Sequence, residues 1–263
     1  MNSYFNIILI AFKQYRSYLL NFIGNLTILP IDFLLTLLLY MVIFSSQPNE
    51  VIGGFNLRQS IGYAYISLFL LASMNSNLAS RIENDVVYGN LTLYLARPYN
   101  YLLGIFSEVL PQSIINMIIG YLTYAFISIY LGFPICSLIF IPIIILSIFS
   151  AFLISNLLYI FTGLFSFWIG RSYYFRNIVS ILITLFGGGF FPITWFGGNI
   201  VSILNLFPFL YVIYLPASIS IGIIKLNEIF SILFLEFIWI VILILLVDFL
   251  WKFGLKYYDT PGG

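Results

Sequence analysis

Histidine is absent and Cys136 is the single cysteine, so an imidazole acid–base or metal site and an internal disulfide are excluded. Carboxylates and guanidinium groups remain, and they collect in one stretch, Arg81-Ile-Glu-Asn-Asp-Val-Val-Tyr-Gly-Asn-Leu-Thr-Leu-Tyr-Leu-Ala-Arg-Pro98. Arg81, Glu83, Asp85 and Arg97 stand there between long apolar runs. Two cations and two anions at this spacing can pair with one another or with a partner's charges. They lack the makings of a catalytic group. No lysine follows a glycine, so the chain has no phosphate-cradling loop of the G-x-x-x-x-G-K-[ST] type and is expected to be no enzyme.

These charges need a frame, and the composition says what solvent that frame meets. Of the 263 residues, 62% are hydrophobic and 20% aromatic, and only 7% are charged. Soluble domains carry about 25% charged residues. An all-α integral membrane protein is therefore expected, with the lipid bilayer as its solvent. A net charge of +1 gives no sign of a nucleic-acid partner. The first charge, Lys13, follows an apolar run rather than preceding one, so no cleavable signal is expected.

Taken in order, residues 2–18 mix Asn6, Lys13, Gln14 and Arg16 with Phe5, Ile8, Leu9 and Phe12. That pattern fits a helix lying in the membrane interface and equally an extension of the first span. Spans are expected at about 19–44, 61–80, 109–131, 137–167, 177–191 and 229–251. The charged stretch begins acidic, stays aliphatic in its middle and stops at Arg97-Pro98, which predicts one short amphipathic helix between spans two and three. From Asn177 to Ile224 there is no charge, but Gly187-Gly188-Gly189, Pro192, Gly197-Gly198, Pro208 and Pro216 break the run. Two full spans fit its length. One span followed by a hairpin that dips into the membrane at about 192–224 fits it as well, and is preferred.

Charge placement supports that preference. With six spans and the N-terminus inside, Lys13, Arg16, Arg81, Arg97, Arg171, Arg176, Lys252 and Lys256 lie in cytoplasmic segments, whereas Arg58 and Lys225 lie outside. Seven spans would send Lys252 and Lys256 outward and weaken the bias. Lys13, Arg16, Arg171 and Arg176 are the expected cytoplasmic anchors, and both termini are expected in the cytoplasm.

The order of these features resembles the type-two ABC exporter permeases. Arg81-Ile-Glu-Asn-Asp-Val-Val-Tyr-Gly-Asn-Leu is similar to that family's acidic residues, glycine and apolar turn, and Leu95-Ala-Arg97-Pro98 to its closing motif. Gly188-Gly-Phe-Phe-Pro192 followed by Leu206-Phe-Pro208 resembles its hairpin, although a second proline is missing from Thr194-Trp195-Phe-Gly-Gly198. The closing Gly262-Gly263 resembles a subfamily encoded beside a second permease and a separate ATPase. The resemblance implies a multidrug-type exporter subunit in a prokaryotic cell membrane. It implies a separate ABC ATPase that binds ATP and Mg, a second permease subunit (a heterodimer in preference to a homodimer), and no cofactor on this chain. It also implies that the 81–98 helix, through Arg81, Glu83, Asp85, Gly89 and Arg97, couples to the ATPase, and that Gly188, Gly189, Pro192 and Pro208 shape a re-entrant extracellular hairpin. The expected substrate is amphipathic or apolar: a drug, a peptide or a lipid.

Isolated polar residues inside spans have two readings each. Asp32 is an intramembrane carboxylate, and a subunit-interface role stands ahead of a proton-coupling one. Asn75, Asn116 and Asn156 line a path or bond helices together, the commoner use, at around 0.6 kcal/mol each. Glu236 is expected near the headgroup zone, and Glu108 beside an arginine. A membrane enzyme finds no cluster of suitable residues, but a channel or scaffold without an ATPase remains open.

Overall fold

A computed structural model describes residues 2–17, 19–45, 51–74, 77–134 and 140–258. Among them the regular structure is helical. The order is α1 (Asn2–Ser17), α2 (Leu19–Ser45), α3 (Leu57–Ser73), α4 (Asn77–Val87), α5 (Leu91–Leu95) and α6 (Tyr101–Leu131). Then follow α7 (Ile141–Leu164), α8 (Ser166–Ile169), α9 (Tyr173–Phe186), α10 (Gly198–Leu204), α11 (Tyr214–Ser220) and α12 (Leu226–Gly254). Three stretches, 101–130, 141–169 and 227–254, are long and apolar enough to cross a membrane, and Pro30–Ser45 and Tyr173–Phe186 are shorter apolar helices.

The hub is α7. Ser147, Ala151, Ile154, Leu158, Tyr159, Thr162 and Leu164 point in several directions around it and all are buried. From Ser150 to Leu164 every residue of α7 is buried or half-buried, so other helices must enclose that length, whereas Ile145, Leu146 and Phe149 nearer its start stay exposed. α4, α9, α11 and α12 all pack against it. By contrast α12 buries one narrow strip, including Ile229, Leu243 and Val247, and exposes Phe230, Phe234, Phe237, Leu245 and Phe249.

Glu236, expected near the headgroup zone, is turned toward another helix. It is 0% exposed on the side of α12 that meets α7, where Ser147 Oγ donates to its Oε1 at 2.8 Å. The serine that receives it lies 89 positions away, so no local pattern announces the contact.

The second half of the fold turns on the glycine run after α9. Its carbonyls leave helical geometry and need donors inside the protein. Tyr63 Oη donates to Gly188 O at 2.6 Å and Tyr40 Oη to Phe190 O at 2.9 Å, while the Ser67 hydroxyl, 2.9 Å from Ala64 O in its own helix, also lies 3.3 Å from Gly189 O. Tyr63 and Ser67 are four apart on α3 and so share a face. Beyond this turn, a 3-10 turn (Ile193–Phe196) and α10 lead to a bend of 95° between Gly198–Leu204 and Pro208–Ser220. Trp195 packs on Tyr40 and Phe44 of α2, with ring centroids 5.2 and 5.9 Å apart. Tyr63→Phe should leave the Gly188 carbonyl buried without its donor and cost about 1–2 kcal/mol. Thermal unfolding in detergent reads that loss, and an unchanged midpoint would contradict the donor role.

Candidate functional site

The charged stretch forms a helix–turn–helix rather than the single helix expected. α4 begins at Asn77, earlier than Arg81, and ends at Val87. Gly89 then takes φ +78, a left-handed value that glycine adopts without strain. Thr92 closes the turn, its hydroxyl donating to Gly89 O at 2.7 Å. The chain re-enters a helix only for the five residues of α5. The sequence pattern carried the apolar period through this glycine, and the backbone did not follow it.

α4 is amphipathic by position. Leu78, Ala79, Ile82, Asp85 and Val86 are buried. The contact with α7 is close enough that a Cβ on Gly163 would meet Ala79 Cα and O at 3.0 Å. Two small residues facing one another let the helix backbones approach, which fixes α4 on the hub.

The charges of the stretch are largely bonded inside the chain. Asp85, 4% exposed, accepts from Tyr101 Oη at 2.8 Å and from Arg81 Nε at 3.2 Å. Arg81 also donates to Tyr94 Oη at 2.8 Å and stands 3.8 Å from Glu108 Oε2, the arginine partner expected for that glutamate. Burial works against the guanidinium charge, but Glu108 and Asp85 outweigh it and hold Arg81 above the ordinary arginine range. Tyr101 stacks on Trp251 of α12 at 5.3 Å, so one polar knot joins α4, α5, α6 and α12. Glu83 reaches a different element. Its Oε2 accepts from the amide and the hydroxyl of Ser172, both at 3.1 Å, at the N-cap of α9. A carboxylate there meets both unpaired donors and the positive end of the helix dipole.

Apolar side chains face outward at the tip beside the exposed Asn84, Asn90 and Arg97. Tyr88, Leu93 and Leu95 are 63%, 65% and 45% exposed at the tip. Arg97 lies beside them over the Tyr94 ring, 5.1 Å from its centroid, and donates to Tyr99 Oη at 3.2 Å. α1 closes the same end of the molecule: it packs on α6, and the Asn100 amide donates to Tyr4 Oη at 2.9 Å.

The other expected site residues are scattered. Lys13 and Arg171 are exposed, and Arg176 sits 4.9 Å from the centroid of the Tyr173 ring. The side chain of Arg16 and the whole of Asn75 lie outside the described residues. Asp32 is exposed on α2 among Ile31, Leu34 and Leu35. Asn116 Nδ2 reaches the Ala72 carbonyl of α3 at 3.5 Å, an interhelical contact at the outer limit of a hydrogen bond. Asn156 donates instead within its own helix, to Phe152 O at 2.7 Å, and its Oδ1 finds no partner among the described residues. Gly188, Gly189, Pro192 and Pro208 are all buried at the turns already described.

Sequence reasoning missed Tyr94, Tyr101 and Ser172. Tyr94 had a local signal, three positions before Arg97. Tyr101 and Ser172 had none, because their partners lie 16 and 89 positions away.

A family model described as ABC-2 family transporter protein matches residues 31–262. No curated protein matches the chain.

Proposed function

The chain belongs to the ABC-2 transporter family, and we propose that it is the permease subunit of an ATP-driven exporter, seated on a separate ABC ATPase through α4 and α5. One observation carries this reading: an apolar tip, Tyr88, Leu93 and Leu95, stands exposed on a scaffold whose charges are bonded inward. Such a tip suits a cleft of a partner, and the knot beneath it links any displacement of the tip to α6, α9 and α12. In this reading Arg81, Glu83 and Asp85 stiffen the lever, Gly89 turns it, and Tyr88, Leu93 and Arg97 touch the ATPase. ATP and Mg belong to that partner.

The rest of the arrangement follows from the same proposal. α2, α3, α6, α7, α9 and α12 are six spans, α1 lies along the cytoplasmic interface, and both termini are cytoplasmic. The segment from 192 to 224 is a re-entrant hairpin on the outer side of a prokaryotic cell membrane. Asp32 meets a second permease, of a related rather than identical sequence, because a carboxylate facing lipid is costly. Amphipathic or apolar molecules suit the charge-poor interior as substrates. Purifying the tagged chain from its native membrane in mild detergent tests the proposal. It predicts a stoichiometric ABC ATPase and a second permease by mass spectrometry. Recovery without an ATPase would favour a channel or scaffold.

A further inference from the structure

α2 and α6 both lean on α3, and between them lies a half-open groove of about 220 Å³. Pro30, Phe33, Tyr65, Phe69, Ile119 and Thr123 are among its lining residues. At roughly 30 Å³ for a water-sized group, it admits on the order of seven methylene-sized groups. Its aromatic wall is fixed. Phe33 meets Tyr65 edge-on at 5.1 Å, Phe69 packs on Tyr65 at 5.5 Å, and Phe69 lies so close over Gly120 that a Cβ there would fall 1.8 Å from its ring.

The polar groups in this groove are of one kind. Tyr65 Oη donates to Thr123 Oγ1 at 2.7 Å, and Thr123 Oγ1 donates to Ile119 O at 2.8 Å. Both hydroxyl protons are therefore used. Pro30 has no N–H to offer, and the other backbone amides of these helices belong to their own ladders. Among the described residues the groove has lone pairs on Tyr65 Oη to give and no proton. Tyr65 lies eight residues from the start of α3 and Thr123 eight from the end of α6, so this acceptor sits roughly 12 Å below the helix ends, at 1.5 Å per residue. A hydroxyl at that depth has no acceptor among lipid tails. Nor does burying an alkyl chain favour the groove over lipid, since both are equally apolar. The hydrogen bond must decide what binds.

We propose that the groove between α2, α3 and α6 binds a neutral single-chain amphiphile that brings its own hydrogen-bond donor, a long-chain alcohol, with its hydroxyl on Tyr65 Oη. The site needs only the chain's place in a membrane, so it stands apart from the ATPase contact. It does narrow the substrate class given above.

The test uses the full chain in lipid nanodiscs with no ATPase present, so it can fail while the ATPase contact stands. A long-chain fatty alcohol carrying an aliphatic diazirine is photolysed, and its adducts are mapped by mass spectrometry. The expected adducts fall on Phe33, Tyr65, Phe69, Ile119 or Thr123, and unlabelled fatty alcohol displaces them at about tenfold lower concentration than its methyl ether. Tyr65→Phe should erase that preference. Thr123→Val should move it toward the ether, because the freed Tyr65 proton becomes a donor, a change that misfolding would not produce. Equal displacement by alcohol and ether in the unaltered chain would reduce the groove to a resting place for any lipid tail. Adducts spread over the exposed phenylalanines of α12, or absent because a partner helix fills the groove, would also overturn the proposal.

Discussion

Replacing Tyr88 and Leu93 together by aspartate is expected to release the ATPase from the purified complex while the permease keeps its fold. Both side chains are more than 60% exposed, so little of the chain's own packing depends on them. Exposed positions of this kind change stability within about 0.5 kcal/mol. Anchors at the centre of an interface commonly cost 2 kcal/mol or more each when lost. Two of them give about 4 kcal/mol, close to a thousandfold in affinity. The readout is the ATPase-to-permease ratio after affinity purification, taken beside the thermal midpoint of the permease. A ratio that stays near that of the unaltered complex would mean that the tip is not the contact.

Asp85→Ala should act in the opposite way, damaging the scaffold rather than the surface. The substitution leaves Tyr101 Oη buried without its acceptor and removes one of the two anions around Arg81. Breaking a buried pair costs about 3–5 kcal/mol. Arg81 is 43% exposed and keeps Tyr94 and Glu108, so the expected loss is lower, about 2–3 kcal/mol. For a chain of this size that is a fall in thermal midpoint of roughly 5–10 °C. Asp85→Asn keeps an oxygen for Tyr101 and should lose about half as much. If Asp85→Ala binds the ATPase normally but no longer couples ATP hydrolysis to transport, the knot is what transmits force. Full coupling with an unchanged midpoint would show that Asp85 is dispensable to the lever.

The helical frame was legible because apolar runs of span length leave few alternatives, and α6, α7 and α12 appear near where hydropathy places them. The Asp248–Lys252 pair, four apart, forms at 2.6 Å, as its spacing suggests. Local patterns failed where a single backbone dihedral decides. Gly89 divides the charged stretch, and nothing in the flanking period shows it. They failed again where a polar group's partner is remote. The carboxylates of Glu83 and Asp85 bond to Ser172 and Tyr101, 89 and 16 positions away, partners that no local spacing announces. The hydroxyls of Tyr40 and Tyr63 serve carbonyls of the broken turn 150 and 125 positions away, which no local pattern announces. In a membrane frame the hydrophobic pattern names the spans, and burial of the few polar groups decides how they are joined.

In the proposed function the tip of α4–α5 is the surface an ATPase grips. A photoreactive amino acid placed at position 93 in the native membrane, with the same probe at position 245 on the exposed face of α12 as control, tests it most directly. The expected result is an ultraviolet-dependent adduct between position 93 and an ABC ATPase subunit, and none from position 245. An ATPase that co-purifies with the chain yet never crosslinks from position 93, or one that crosslinks from position 245 instead, would contradict it.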